Sequence, residues 1–420
     1  MKYIVLLAAT TLPTTPADND WLNFRGPDSN STMASAKLPQ KWSPDTNIAW
    51  KAPLPGRGVS GPIIVGNRVF LTASSAGFRD DKLMTLCFDA ETGKQLWERS
   101  IRATGRVACH PKMCMATPTP ASDGKVVVAY YSCNDAAGYT LDGDLLWTRG
   151  LNYDYPNASN SVGMSSSPIV VDGVAILMVE NQADSFTIGL DVNTGETKWK
   201  IARPAESNWN SPIAYKDKAG KTLVLLPSPG KLSAIDPVTG KSAWDFAKNC
   251  HPIASPSASE DFLLVPVWRE GLLAINKDVK SIAPEVKWTS MPSSPNTPSP
   301  IVMGDKVVTV AGQGILTATN IADGKIVWKE RLKQGPFAGT PIVAGGLIYI
   351  FNEDGRGYVL KPTDKGAELL ATNDINQVNE KDGKPAAAND KEVFLCTPAV
   401  SGNALYVRSD KHLWKIAEKK

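Results

Sequence analysis

Residues 89–97 read DAETGKQLW, and nearly the same phrase returns at 191–199 as DVNTGETKW, at 236–244 as DPVTGKSAW and at 320–328 as NIADGKIVW. Each opens on Asp or Asn eight residues before a Trp and places Gly four residues before it. A single enzyme loop needs no such copies, so the phrase belongs to a repeated structural unit. Its chemistry is that of a hairpin turn. The Asp side chain accepts from the turn's own amides, and Gly supplies the left-handed backbone that a tight return requires. Asp89, Asp191 and Asp236 are therefore expected to be structural, with Gly93, Gly195 and Gly240 beneath them.

A second marker gives the same unit. A small residue followed by Pro opens an apolar stretch eight times: Gly61-Pro62, Thr117-Pro118, Ser167-Pro168, Ser211-Pro212, Ser255-Pro256, Ser299-Pro300, Thr340-Pro341 and Thr397-Pro398. The aromatic marker also counts eight, with Trp50, Trp97, Trp147, Trp199, Trp244, Trp288 and Trp328, and Leu370 in the remaining place. Runs such as Val126–Tyr131, Ala175–Val179 and Leu347–Phe351 are short, aliphatic and β-branched, as strands are. The grammar of each unit is strand, Gly- or Asp-containing turn, strand, variable loop, strand, the quoted turn, and a last strand that carries the Trp.

Four antiparallel strands in about 40–50 residues, repeated eight times, predict an all-β, eight-bladed β-propeller. A lone four-stranded sheet cannot bury both faces, whereas a ring of them can and leaves only short edges. The Trp is expected on the outermost strand, wedged against the neighbouring blade. Trp50 precedes the first Pro marker, and residues 397–420 supply only three strands. Residues 47–52 are therefore expected to complete the last blade, which makes 47–420 one domain behind an extension at 18–46.

The balance of charge excludes one class of function. Charged residues are 21% of the 420, the net charge is +3, and no basic stripe is present, which argues against a nucleic-acid binder. The start, MKYIVLLAATTLPTTPA, has a Lys, a short apolar run and small residues, the pattern of a signal peptide over residues 1–17. Export to the periplasm or beyond the cell is expected, without a lipid-attachment Cys near the cleavage point. No segment reaches the roughly 18 apolar residues of a membrane helix. Of six cysteines, Cys109 and Cys114 share one loop and are the expected disulfide in an exported, monomeric chain.

The phrases at 89–97 and 236–244 resemble the tryptophan-docking repeat of the pyrroloquinoline-quinone (PQQ)-like β-propeller family. Trp21-Leu-Asn-Phe-Arg-Gly-Pro27, Trp50-Lys51 and Pro55-Gly-Arg-Gly58 resemble the N-terminal pattern of its exported bacterial members. The resemblance spans residues 20–420 and implies two functional branches. One is the quinoprotein dehydrogenases; the other contains the non-enzymatic propeller subunit of the β-barrel assembly machinery (BamB-like). A quinoprotein needs Ca²⁺ on oxygen ligands, an Asp base, an Arg and aromatic walls around the flat cofactor. This chain has no Cys-Cys pair and no Cys-x-x-Cys-His haem site.

The leading expectation is a non-enzymatic scaffold in the bacterial envelope, binding an envelope protein partner or ligand and needing no cofactor. The alternative is a PQQ- and Ca²⁺-dependent oxidoreductase acting on an alcohol or sugar. For either, loops entering the first strands and joining the second and third strands are expected to share one face. That face would collect Arg57, the Cys109–Cys114 loop, Asn208, Trp209, Asn210, His251, Trp268, Arg269, Asn296, Phe337 and Arg356. Trp268-Arg269 is the pair best suited to a flat or anionic ligand. Cys109-His110-Pro111 echoes Cys250-His251-Pro252, but the two lie in non-adjacent blades, so no metal site is expected. Three His and no Gly-x-Ser-x-Gly leave no catalytic triad to assemble.

Overall fold

The computed structural model describes residues 19–75, 81–158, 162–279, 283–333, 335–375 and 392–418. The expected signal peptide at 1–17 lies outside them. Apolar strands without a core of their own stack as eight sheets around one axis. The first seven blades occupy residues 63–102, 121–150, 169–202, 213–246, 257–290, 301–331 and 342–374. The eighth takes three strands from 399–416 and its outermost strand from Ile48–Pro53. Lys51 pairs with Trp414 and Pro53 with His412, so both ends of the ring share one sheet, as the strand count predicted.

Burial explains why the ring closes. Every residue of the inner strands Val126–Tyr130 and Val174–Val179 is buried, whereas the outermost strand Thr197–Ala202 fully buries Trp199 alone. The apolar clusters lie between blades rather than within them. Val128 and Tyr130 of blade two join Leu177 and Phe186 of blade three, and Leu225 of blade four joins Leu263 of blade five. No blade is stable alone, because its faces are its neighbours' cores.

The quoted phrase proves to be the joint. The Trp147 indole lies under Gly195 of the next blade and donates from Nε1 to the Val192 carbonyl at 2.8 Å. Trp50, Trp97, Trp199 and Trp288 make the same bond to Ala90, Leu141, Pro237 and Ile321, at 3.2, 3.0, 2.9 and 2.7 Å. The turn is held from within: Asp89 Oδ1 accepts from Thr92 N at 2.7 Å, Thr92 Oγ1 at 2.8 Å and Glu91 N at 3.1 Å. Those donors, the Thr92 amide foremost, hold the Asp89 carboxyl below its ordinary value. Asp191 and Asp236 cap their turns in the same way. Trp244 and Trp328 are buried without such a bond at Nε1.

Two markers shift by a residue or two. Thr117-Pro118-Thr119-Pro120 offers two starts, and the structure uses Thr119 as the equivalent of Ser167 and Ser211. In blade seven the fourth strand bulges between Val359 and Leu360, which places Ala371, not Leu370, opposite Val359 in the Trp position. Trp42 from the N-terminal segment lies beside Ala371 and packs on Phe351 at 5.6 Å between ring centroids. Its Nε1 meets no acceptor, so Trp42 fills space on blade seven without making the bond that Trp147 makes.

Residues 19–46 do not stand apart from the ring. Trp21 exchanges two backbone bonds of 2.9 Å with Ile64 in blade one, and the Leu22 carbonyl accepts from Ser122 N in blade two. The Asn30 amide bonds both the N–H and the carbonyl of Ala258 in blade five. Thr32–Met33 adds a parallel fifth strand to the inner edge of blade seven, and Lys37 N donates to Asn403 in blade eight. The segment spans the mouth on the side of the first-to-second-strand turns, where Asp20 accepts from Gly66 N.

Two outcomes test this joint. Gly173 and Gly195 both have positive φ (+75° and +72°), but a Cβ at Gly195 would stand 2.6 Å from the Trp147 ring while one at Gly173 meets nothing within 4 Å. Gly173→Ala should cost about 1 kcal/mol in urea unfolding, and Gly195→Ala about 3 kcal/mol. Removing residues 1–55 should lower Tm by roughly 5 °C or more, since it deletes both the clasp strand and the segment across the mouth.

Candidate functional site: an axial cavity and its loop face

The residues two positions before the eight innermost strands meet around the axis. Gly61, Thr119, Ser167, Ser211, Ser255, Ser299, Thr340 and Thr397 all line one cavity of about 400 Å³. Each backbone N–H from Gly61 to Thr340 donates to the hydroxyl of the next blade, in seven bonds of 2.8–3.0 Å. The circle opens only at Gly61, which has no hydroxyl for Thr397. Pro follows at each position because the residue just before the innermost strand has no ladder bond to donate inward.

Phe24 lines the cavity, whose apolar wall includes Val59, Met113, Val162, Trp209, Ile253 and Leu395. Above it, Lys112 from the loop before blade two reaches Glu353 in blade seven, with Nζ at 2.9 and 2.8 Å from the two carboxylate oxygens. Glu353 is mostly buried, which raises the worth of this pair above that of an exposed one. Arg57 donates to the Pro111 carbonyl at 2.5 Å and braces the same loop.

None of the seven residues expected to hold a ligand lines this cavity. Arg57 is a loop brace. Asn210 is buried and donates to the His251 carbonyl at 2.9 Å. His251 Nδ1 accepts from Ile253 N and Ala254 N at 3.2 and 3.1 Å, which places its neutral-form proton on Nε2. Burial lowers its pKa to about 4. Trp268 is 45% exposed and rests on the His251 ring at 5.5 Å. Arg269 turns through φ +61° at the loop tip. Asn296 is exposed beside Gly312, and Arg356 clamps both oxygens of Asp374 at 2.7 and 3.0 Å.

The other loop residues divide similarly. Trp209 does line the cavity, and Phe337 is a core residue against Tyr358. Asn208 belongs to a buried network in which Glu180 pairs with Arg203 at 3.0 Å, and burial raises the Glu180 carboxyl. The expected Cys109–Cys114 bridge is not formed. Cys114 is buried in the contact between blades one and two, and Cys109 packs against the same cluster. Among the described residues no three His, Cys, Asp or Glu converge as metal ligands.

Two features escaped the sequence. The Ser/Thr-Pro signal was visible, but only as a strand start; that the hydroxyls bond across blades depends on the ring. Lys112 and Glu353 lie 241 residues apart and carry no local signal.

A family model described as outer membrane protein assembly factor BamB matches residues 41–245 and 267–369. The chain belongs to this family. Two proteins named outer membrane protein assembly factor BamB are similar to it along more than three quarters of their length. The one from Yersinia pestis is 21% identical over 359 residues, 79% of this chain and 78% of that protein. The one from Moranella endobia is 22% identical over 335 residues, 76% and 77% of the two chains. Among solved structures, BamB from Moraxella catarrhalis superposes with a TM-score of 0.61 at 16% identity, covering 89% of this chain and 97% of that one. A quinohemoprotein alcohol dehydrogenase from Comamonas testosteroni gives 0.69 at 13% identity, over 96% and 81%. These structural likenesses carry the fold, which BamB shares with the dehydrogenases.

The dehydrogenase likeness raises the question of a calcium–quinone centre, and the cavity does not fit one. Its lining carboxylate is Glu353, already neutralised by Lys112, and Trp268-Arg269 stands outside it.

The His251 cap has a pH signature. Its folded pKa of about 4 lies below the unfolded value of 6.5, so between them the unfolded chain binds more protons. Stability from this group is present above pH 6.5 and is lost as pH falls toward 4. His251→Asn should flatten that part of a Tm-against-pH curve relative to the parent protein.

Proposed function

We propose that this chain is a non-enzymatic scaffold of the bacterial envelope that docks a protein partner during outer membrane protein assembly. Family membership supports the process, and one surface supports the mode. On the loop face Trp268, Ile253 and Met291 are 45%, 41% and 54% exposed. They adjoin one another: His251 supports Trp268 and caps Ile253, and Met291 packs against Gly271 at the end of the Trp268 turn. Trp209 continues the patch, donating from its backbone N–H to Pro252. An exposed Trp held rigidly, with aliphatic neighbours and Arg269 at the rim, has the composition of a protein-binding hot spot.

Export to the periplasm follows from the same reading, and no helix among the described residues is long and apolar enough to cross a membrane. The quinoprotein alternative rests on the shared fold alone. Dye reduction with PQQ, Ca²⁺ and a panel of alcohols and sugars is expected to stay at background.

The docking surface is testable by substitution. An Ile253→Asp, Trp268→Ala double variant should keep Tm within about 3 °C, because both side chains are exposed, yet lose capture of a cross-linked envelope partner by about tenfold or more. Leu145→Asp on the outer edge of blade two should leave capture unchanged. Equal capture by all three proteins would move the partner off this face.

A further inference from the structure

The axial cavity carries chemistry that scaffold docking does not use. In the hydroxyl circle, seven side chains each accept a backbone N–H from the preceding blade. A hydroxyl that accepts still has one hydrogen to donate. Among the described residues no protein acceptor is shown for the hydrogens of Thr119, Ser167, Ser211, Ser255, Ser299, Thr340 or Thr397, all of which line the cavity. The circle is therefore a collar of donors around one axis.

Directly beneath lies an uncompensated cation. Arg25 is 1% exposed, with φ +68°, and its guanidinium donates to Ser257 Oγ at 2.8 Å, to the Pro300 carbonyl at 3.3 Å and to the Pro256 carbonyl. Pro256 and Pro300 immediately follow two collar residues, Ser255 and Ser299, so the guanidinium sits one step along the same inner strands. All its partners are neutral, and its Nε meets no acceptor. Phe24, which lines the cavity, lies against it with 5.6 Å from the guanidinium carbon to the ring centroid. Arg25 itself does not line the cavity, and the lining Lys112 and Glu353 pair with each other on the loop face. A buried charge without a counter-charge is costly, and an anion held nearby would recover part of that cost.

We propose that the axial cavity binds an organic monoanion: a carboxylate seated in the hydroxyl collar above Phe24 and Arg25, on an apolar body that fills the Val59–Met113–Val162–Trp209 wall. A volume of about 400 Å³ suits a small amphiphile rather than a folded partner. Entry opens the Lys112–Glu353 pair on the loop face, at the end opposite residues 19–46. The cavity shares Trp209 and Ile253 with the edge of the docking patch but excludes Trp268 and Met291, and titration with small probes tests it without the partner.

The test is calorimetric titration of the intact protein with three probes: decanoate, 1-decanol and inorganic phosphate. The change in tryptophan emission that is lost in a Trp209→Phe variant serves as a local readout. Decanoate should bind saturably and at least about tenfold more tightly than 1-decanol, and phosphate should bind weakly for lack of an apolar body. Arg25→Gln should reduce decanoate affinity by about tenfold while leaving 1-decanol unchanged, and Arg25→Lys should retain most of it. If Arg25→Gln fails to fold, the three-probe comparison on the parent protein still decides. Equal affinity for decanoate and 1-decanol, or no saturable decanoate binding below about 1 mM, overturns the proposal.

Discussion

An indole clamped beneath its neighbour's glycine turn is the contact on which the ring depends. Each blade is too thin to bury its own faces, so stability is a property of pairs. The Trp supplies a large apolar surface, and its Nε1–H fixes the angle by reaching one backbone carbonyl in the next turn. A Cβ on Gly240 would stand 2.6 Å from the Trp199 ring, so the turn must be bare where the indole enters. The bulge before each Trp does related work. In blade three the register slips between Gly189 and Leu190, which turns Trp199 inward while its flanking Lys side chains stay in water.

At the axis the same problem is solved with polar groups. Inner-strand ends would present bare amides to the channel, and the hydroxyl circle satisfies them blade by blade. Where the circle lapses at Gly61, Arg408 strengthens the seam: its Nη1 donates to the Ser60 and Thr72 carbonyls at 3.1 and 2.8 Å, joining blade eight to blade one. Arg203 ties blade three to blade four with a full set of partners, including Glu180, Ser228 and Ser233.

The blade count, the clasp by Ile48–Pro53 and the structural role of Asp89 were legible because each is written locally and repeated. Repetition also limited the reading. Thr117 and Thr119 are indistinguishable in sequence, and a one-residue bulge was enough to move the Trp equivalent from Leu370 to Ala371. The site was much less legible. Trp268-Arg269 and Arg356 looked like ligand residues because their types are right, yet their loops point them to the rim or to Asp374. Residues that do meet at the axis, such as Phe24 and Thr340 or Lys112 and Glu353, are brought together only by closure of the whole circle. Pairing across hundreds of residues leaves no periodic trace.

The weaving of residues 19–46 through the ring has a consequence in time. Arg25 waits for Ser257 and Pro300, and Lys37 for Asn403, gaps of 232, 275 and 366 positions. The part of the chain made first can find its seat only after the last blade exists. Sealing is therefore the final event of assembly, limited by long loop closures rather than by the quick stacking of adjacent sheets. Until then the nascent circle is an open horseshoe with two bare ends, the stage at which a chaperone would have most to hold.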